Sequence, residues 1–263
     1  DFVPLPGGSP AAMLDKNYLK SRAALINSSR SMGTAKAGVL GPTSNGQHGP
    51  ATDNGTTHFS IVDKAGNVVS MTTTVESGFG SFHMTKGGFL LNNQLTDFSA
   101  TPTDAQNLPI ANRVAAGKRP RSSMAPTLVF QQSGGQRGEF LMATGSPGGS
   151  TIIQFVTKTL VGVLDWGLNA QQATSMIAFG AANSPTTNVG GEHPNVNVAN
   201  SGNDDPLVTG LRALGHTVNL AAQSSGISTI VARTSGVGTK VYDGGADPRR
   251  EGVALGDLFD FYP

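Results

Sequence analysis

Gly55-Thr56-Thr57-His58-Phe59-Ser60-Ile61-Val62-Asp63 reads as the first strand of a β-hairpin. Phe59 and Ile61 alternate with Thr56, His58 and Ser60. Asp63-Lys64-Ala65-Gly66-Asn67 then supplies turn residues, and Val68 to Val75 is a second β-branched run. A one-residue slip would move every apolar side chain to the other face, so register follows from pattern. Pairing Ile61 with Val69 and Phe59 with Met71 matches the apolar faces. The same register sets Thr56 opposite Thr74, where facing Cβ atoms lie roughly 4.5 to 5.5 Å apart, with Glu76 next outward. Two readings are open on this pattern: the polar face of a half-buried hairpin, with threonines present for β-propensity, or two hydroxyls meeting in a catalytic site.

Working outward, Ser28 to Gly55 is rich in Ser, Gly, Thr, Asn and Pro and reads as a linker or loop. Before it, Ala11 to Ser29 carries a helical pattern. After the hairpin, strands are expected at Gly87 to Leu91, Thr127 to Phe130 and Glu139 to Ala143, with a turn over Gln131 to Gly138. Residues 101 to 117 are irregular. Gly148-Gly149-Ser150 opens an apolar helix running to Asp165, and Asn169 to Ala182 reads as a second helix. Asn183 to Pro206 is polar, Leu207 to Leu214 is a short helix, and strands follow at His216 to Ala221, Ser228 to Arg233 and Thr239 to Tyr242. Strands, central helices, then strands again suit a layered α+β domain.

Composition excludes several function classes. The chain has 263 residues, 37% apolar and 13% charged, with 35 glycines, 15 prolines and a formal net charge of +1. That balance fits a turn-rich globular protein and gives no nucleic-acid footprint. No cysteine is present, which removes disulfides and a thiol nucleophile. His48, His58, His83, His193 and His216 lack metal-ligand spacing, and no metal or organic cofactor is expected. No apolar run reaches the ~18 to 20 residues of a transmembrane helix. Asp1 to Pro6 has neither the basic start nor the apolar stretch of a signal peptide, so the chain is expected to be a piece of a longer precursor.

TTHFSIVD, LLNNQLTDFS (Leu90 to Ser99), KRPRSSMAPT (Lys118 to Thr127), TGSPGGS (Thr144 to Ser150) and DPR (Asp247 to Arg249) stand in the order and spacing of the γ-glutamyltranspeptidases. The chain resembles that family from about Asp1 to its C-terminus. The resemblance implies a four-layer αββα sandwich of the N-terminal nucleophile hydrolase type. It also implies residues 1–55 as the tail of a large subunit with a processing linker, and residues 56–263 as a catalytic small subunit. Location would be periplasmic or secreted.

The site follows from the same resemblance. Cleavage between Gly55 and Thr56 would make Thr56 an N-terminal nucleophile whose own α-amine, with an ordinary pKa of ~7.7 to 8, is the base. Glycine before the junction leaves attack unhindered. Thr74 matches the position that hydrogen-bonds the nucleophile. Gly148 and Gly149 precede a helix, where free N–H groups suit an oxyanion, although an ordinary strand-to-helix turn would look the same. Glu76, Gln94 and Asp97 match contacts to a substrate α-amino group, and Ser122 and Ser123 match contacts to its α-carboxylate. Read without the resemblance, Asp97 is an exposed turn carboxylate and Ser122-Ser123 a loop. Many relatives carry asparagine where this chain has Glu76. Thr101 to Gly117 replaces, in shortened form, a lid loop.

The arginine that clamps the carboxylate in that family lies in the large subunit, so activity is expected to need that partner. Expected substrates are a γ-glutamyl donor such as glutathione and a water, amino acid or peptide acceptor. Two rivals remain: a cephalosporin or glutaryl acylase on the same scaffold, whose substrate lacks the α-ammonium that Glu76 and Asp97 would bind, and an unprocessed, non-catalytic homologue.

Overall fold

The computed structural model describes residues 3–42, 55–182 and 184–256. Part of the expected linker, residues 43–54, lies outside them. The chain forms two compact units, one from Asp1–Ala51, Gln94–Ser122 and Gly180–Ala222, the other from Thr52–Asn93, Ser123–Phe179 and Gln223–Pro263. The expected boundary at Gly55 is a division into covalent pieces, a separate matter from compactness. The class is α+β.

The second unit begins with the hairpin β1 (Thr56–Val62) and β2 (Val68–Thr74), antiparallel in the expected register, Thr56 facing Thr74, Phe59 facing Met71 and Ile61 facing Val69. Its turn is closed by Asp63, whose carboxylate accepts from the Asn67 backbone at 2.8 Å and side chain at 2.7 Å, while Gly66 takes a positive φ. A four-stranded antiparallel sheet follows in the order β3 (Thr127–Ser133), β4 (Gln136–Gly145), β8 (Ser228–Thr234) and β9 (Lys240–Ala246). The β3–β4 connection shrinks to Gly134-Gly135, both at positive φ, because each strand extends further than its apolar core suggests.

The hairpin lies on this sheet by its polar side. Ser70 Oγ donates to Thr144 O at 3.0 Å and Ser60 Oγ to Ser228 O at 3.2 Å. The His58 ring occupies the space a Cβ on Gly145 would need. The apolar row Phe59, Ile61, Val69 and Met71 faces outward and is 37% to 51% exposed in this chain. This reverses the expected half-buried hairpin, because the inward hydroxyls find backbone carbonyls to bond.

Helices line the unit too. α2 (Ile152–Leu164) stops where Gly167 turns left-handed and Leu168 N–H returns to Gly162 O at 2.9 Å. α3 (Ala170–Ser175) starts in a capping box made by Asn169 and Gln172 and ends at Met176, shorter than the expected Asn169 to Ala182. Met142, Ala170 and Val231 form a buried cluster joined by Leu160 and Val163, tying α2 and α3 to the four-stranded sheet. Lys158 Nζ and Arg249 Nη2 both donate to Met176 O at 2.9 Å, satisfying the end of α3.

In the first unit the expected helix over Ala11 to Ser29 becomes a 3-10 turn at Pro10–Leu14 followed by α1 (Lys16–Ala23), since Asp15 caps a new start by accepting from Tyr18 N–H. The expected strand at Gly87 to Leu91, in the other unit, reduces to an isolated bridge between Met84 and Leu90. The chain passes between units within the two-residue strand β5 (Phe179–Gly180). Within the segment read as polar loop, β6 (Thr186–Val189) pairs in parallel with β7 (Thr217–Leu220), joined through α4 (Pro206–Ala213). Asp205 caps α4, with Pro206 at its first position.

Candidate active site

Thr56 opens β1 and is buried, and its Oγ1 donates to Thr74 Oγ1 at 3.1 Å. Thr74 Oγ1 also accepts from Glu76 N–H at 2.8 Å, so two donors fix its orientation. Gly55 lies against the backbone just beyond β2: a Cβ there would meet the carbonyl oxygens of Glu76 and Ser77, the latter at 2.7 Å. Position 55 therefore needs glycine for space.

Glu76 is buried and sits at φ 76, a left-handed conformation that β-carbon sterics disfavour. Its carboxylate accepts from Asn93 Nδ2, and Asn93 Oδ1 in turn accepts from Ser77 N–H at 3.0 Å and Ser77 Oγ at 3.2 Å. The sequence reading did not single out Asn93, although it lies inside the quoted LLNNQLTDFS stretch.

Behind Thr56, on the same strand β1, stands His58, 8% exposed. Ser60 gives its proton to Ser228 O, so it accepts from His58 Nε2–H at 3.2 Å, leaving Nδ1 to accept from Thr72 Oγ1 at 2.8 Å. Burial pushes this imidazole down to about 4, so it is neutral at pH 7.

The loop after β4 carries Gly148 at φ 135 and Gly149 at φ 57. Two consecutive positive φ values need glycine, and a Cβ on Gly148 would also strike the Phe155 ring. Among the described residues, neither N–H donates a hydrogen bond. A 3-10 turn, Gly149–Thr151, precedes α2, and no side-chain cap closes the start of either. Next to it, Ser146 Oγ accepts from Gly226 N–H at 3.1 Å, and the Arg250 side chain passes over Gly226 to donate to Ser224 O at 3.0 Å and Thr56 O at 3.4 Å. Arg250 is a second residue that the sequence reading does not single out.

Asp247 organises that corner. Buried at 3% exposure, its carboxylate accepts from Ser225 Oγ at 2.6 Å, Ile227 N–H at 3.1 Å and the Arg249 guanidinium at 3.0 Å. The DPR motif is thus a buried ion pair with its remaining valences filled.

The other expected substrate contacts divide between the units. Ser123 is half-buried in the second. Gln94, Asp97 and Ser122 belong to the first, where Gln94 and Asp97 bound a 3-10 turn and Gln94 Nε2 donates to Asp97 Oδ2 at 2.6 Å. Thr56, Thr74, Glu76, Gly148 and Gly149 all lie in the second unit. Among the described residues no group of three or more His, Cys, Asp or Glu could hold a metal, and no helix is long and apolar enough to cross a membrane.

The Gamma-glutamyltranspeptidase family model matches residues 1–257. The glutathione hydrolase proenzyme of Escherichia coli (strain K12) is 39% identical over 186 residues, taking in 68% of this chain and 29% of that protein. The chain thus spans about 29% of the length of that relative. Among solved structures, γ-glutamyltranspeptidase from Pseudomonas nitroreducens complexed with L-DON aligns with a TM-score of 0.59 at 32% identity, covering 76% of this chain and 98% of the other. Cephalosporin acylase from Bacillus halodurans aligns with a TM-score of 0.67 over 94% of this chain and 40% of its own, but at 21% identity it shows the fold alone.

Proposed function

Because the chain belongs to the γ-glutamyltranspeptidase family, we propose that it carries the nucleophile of an enzyme that hydrolyses and transfers γ-glutamyl groups, from glutathione or a similar donor. The observation that carries this reading is the hydroxyl pair Thr56–Thr74 at the start of β1, directly after a glycine with no room for a side chain. Thr56 Oγ attacks the Gly55 carbonyl carbon, the acyl group moves from nitrogen to oxygen, and water hydrolyses the ester. Residues 56–263 then form the small subunit, with residues 1–55 ending the large one.

The freed α-amine, near pKa ~7.7 to 8 when unperturbed, takes the Thr56 hydroxyl proton as Oγ attacks the γ-carbonyl carbon. It returns that proton to the leaving amine. Water or an acceptor amine then attacks the Thr56 ester, releasing glutamate or the transferred product and restoring the hydroxyl. Gly148 and Gly149 N–H groups stabilise the oxyanion in both steps. Glu76, Gln94 and Asp97 receive the donor's α-ammonium, and Ser122 and Ser123 its α-carboxylate.

The partner is the rest of the precursor. The relative's greater length and the outward apolar row Phe59, Ile61, Val69 and Met71 support this, since such a face is ordinarily covered. Export to the periplasm or medium is part of the same proposal and rests on the family alone. The buried carboxylate of Glu76 favours a substrate with an ammonium over the glutaryl group of an acylase.

Intact mass and N-terminal sequencing of the full-length protein test the reading. The expected result is a fragment beginning Thr56-Thr57-His58, with Thr56→Ala giving neither cleavage nor turnover. Cleavage or turnover persisting in that variant removes Thr56 from its role.

A further inference from the structure

Asn112 lies in the stretch that sequence alone leaves as irregular loop, yet it is only 7% exposed. Its Nδ2 donates to Asp97 O at 2.7 Å, and its Oδ1 accepts from Arg121 N–H at 2.9 Å. Its own backbone carbonyl accepts from Ser99 N–H at 3.0 Å. A carbonyl can only accept and a peptide N–H can only donate, so the amide has a single permitted orientation. One side chain therefore spans two segments distant in sequence: the turn that carries Gln94 and Asp97, and the strand of chain whose next residue is Ser122. The surrounding loop is itself anchored, since Lys118 Nζ donates to Ala111 O and Arg113 O and Ile110 is buried.

We infer that Asn112 is a positioning residue that sets the spacing between the ammonium-binding carboxylate Asp97 and the carboxylate-binding hydroxyl Ser122, and so makes the site selective for donors bearing both groups. The inference rests on the roles proposed above for Asp97 and Ser122. A donor held at both ends is sensitive to that spacing, whereas the chemistry at Thr56 is carried by other residues. Loss of the bridge therefore acts on donor binding before it acts on bond-making.

The experiment uses the full-length, self-processed protein and two substrates, γ-glutamyl-p-nitroanilide and glutaryl-p-nitroanilide, which differ in the α-amino group. Asn112→Ala removes the bridge between Asp97 O and Arg121 N–H and is expected to raise KM for the γ-glutamyl substrate roughly tenfold. The kcat should stay within about threefold, cleavage at Gly55-Thr56 should be unchanged, and preference over the glutaryl substrate should narrow by a similar factor. Asn112→Asp keeps the volume and the acceptor for Arg121 N–H but sets a carboxylate against Asp97 O. It should show the same KM effect, and it keeps the test open if the alanine variant does not fold. An unchanged KM and preference in either folded variant overturns the inference, as does a fall in kcat with KM unmoved. Asp97→Ala serves as the control: if it leaves KM unchanged, the role of Asp97 itself has failed, whatever Asn112 does.

Discussion

His58 makes the stability of this protein depend on pH in a defined window. Its ring is enclosed between β1, β2 and the backbone at Gly145, and burial lowers its pKa to about 4 from 6.5. Between those two values the unfolded chain binds a proton that the native chain does not, so stability falls as pH drops from 6.5 towards 4 and is regained on raising it. At 1.36 kcal/mol per pKa unit, moving from pH 7 to pH 5 should cost about 2 kcal/mol from this residue alone. For a protein of this size that is a fall of roughly 4 °C in melting temperature. The assay is thermal unfolding of the full-length protein at pH 7 and pH 5, for wild type and His58→Gln, which keeps hydrogen-bonding groups but cannot take the proton. Groups that titrate elsewhere cancel in the comparison. The wild type should lose about 4 °C more than the variant between the two pH values. Equal losses would refute the reasoning, because they would mean that His58 takes up its proton as readily folded as unfolded.

Two further outcomes follow from packing. Gly55→Ala places a methyl against two backbone carbonyl oxygens that cannot swing away, so precursor cleavage, followed by gel densitometry, should slow roughly tenfold or more; cleavage at the wild-type rate would mean that the junction does not sit there when it reacts. Asp247→Ala removes the carboxylate that faces the Arg249 guanidinium, whose side chain is only 6% exposed, and takes from Ser225 and Ile227 the acceptor they share. Denaturant unfolding should show a loss of about 3 to 5 kcal/mol, and a loss below about 1 kcal/mol, the level of an exposed pair, would place the pair in solvent.

Much of this protein is legible in its sequence. The Thr56–Thr74 pairing follows from matching Phe59 with Met71 and Ile61 with Val69, because a period of two admits no intermediate register. The family follows from five short stretches in order, and the glycines at 55, 148 and 149 mark places where a side chain has no room or the backbone turns left-handed. Such features are local: a strand, a turn and a hairpin loop are set by neighbours along the chain.

The tertiary structure decided the rest. Alternation says that the hairpin has two faces, but not which one turns inward. Here the hydroxyl face does, since the carbonyls of Thr144 and Ser228 lie opposite it, 74 and 168 residues away from their partners. Helix lengths were set by Asp15, Asn169 and Gly167, where a cap or a left-handed turn outweighed apolar periodicity. β6 was invisible because a parallel strand takes its partner from beyond a helix, so no adjacent pattern announces it. Asn112 and Arg250 reach residues 15 and 194 positions distant. No spacing rule connects such pairs, because the contacts exist only once the chain has folded and brought a donor to an acceptor.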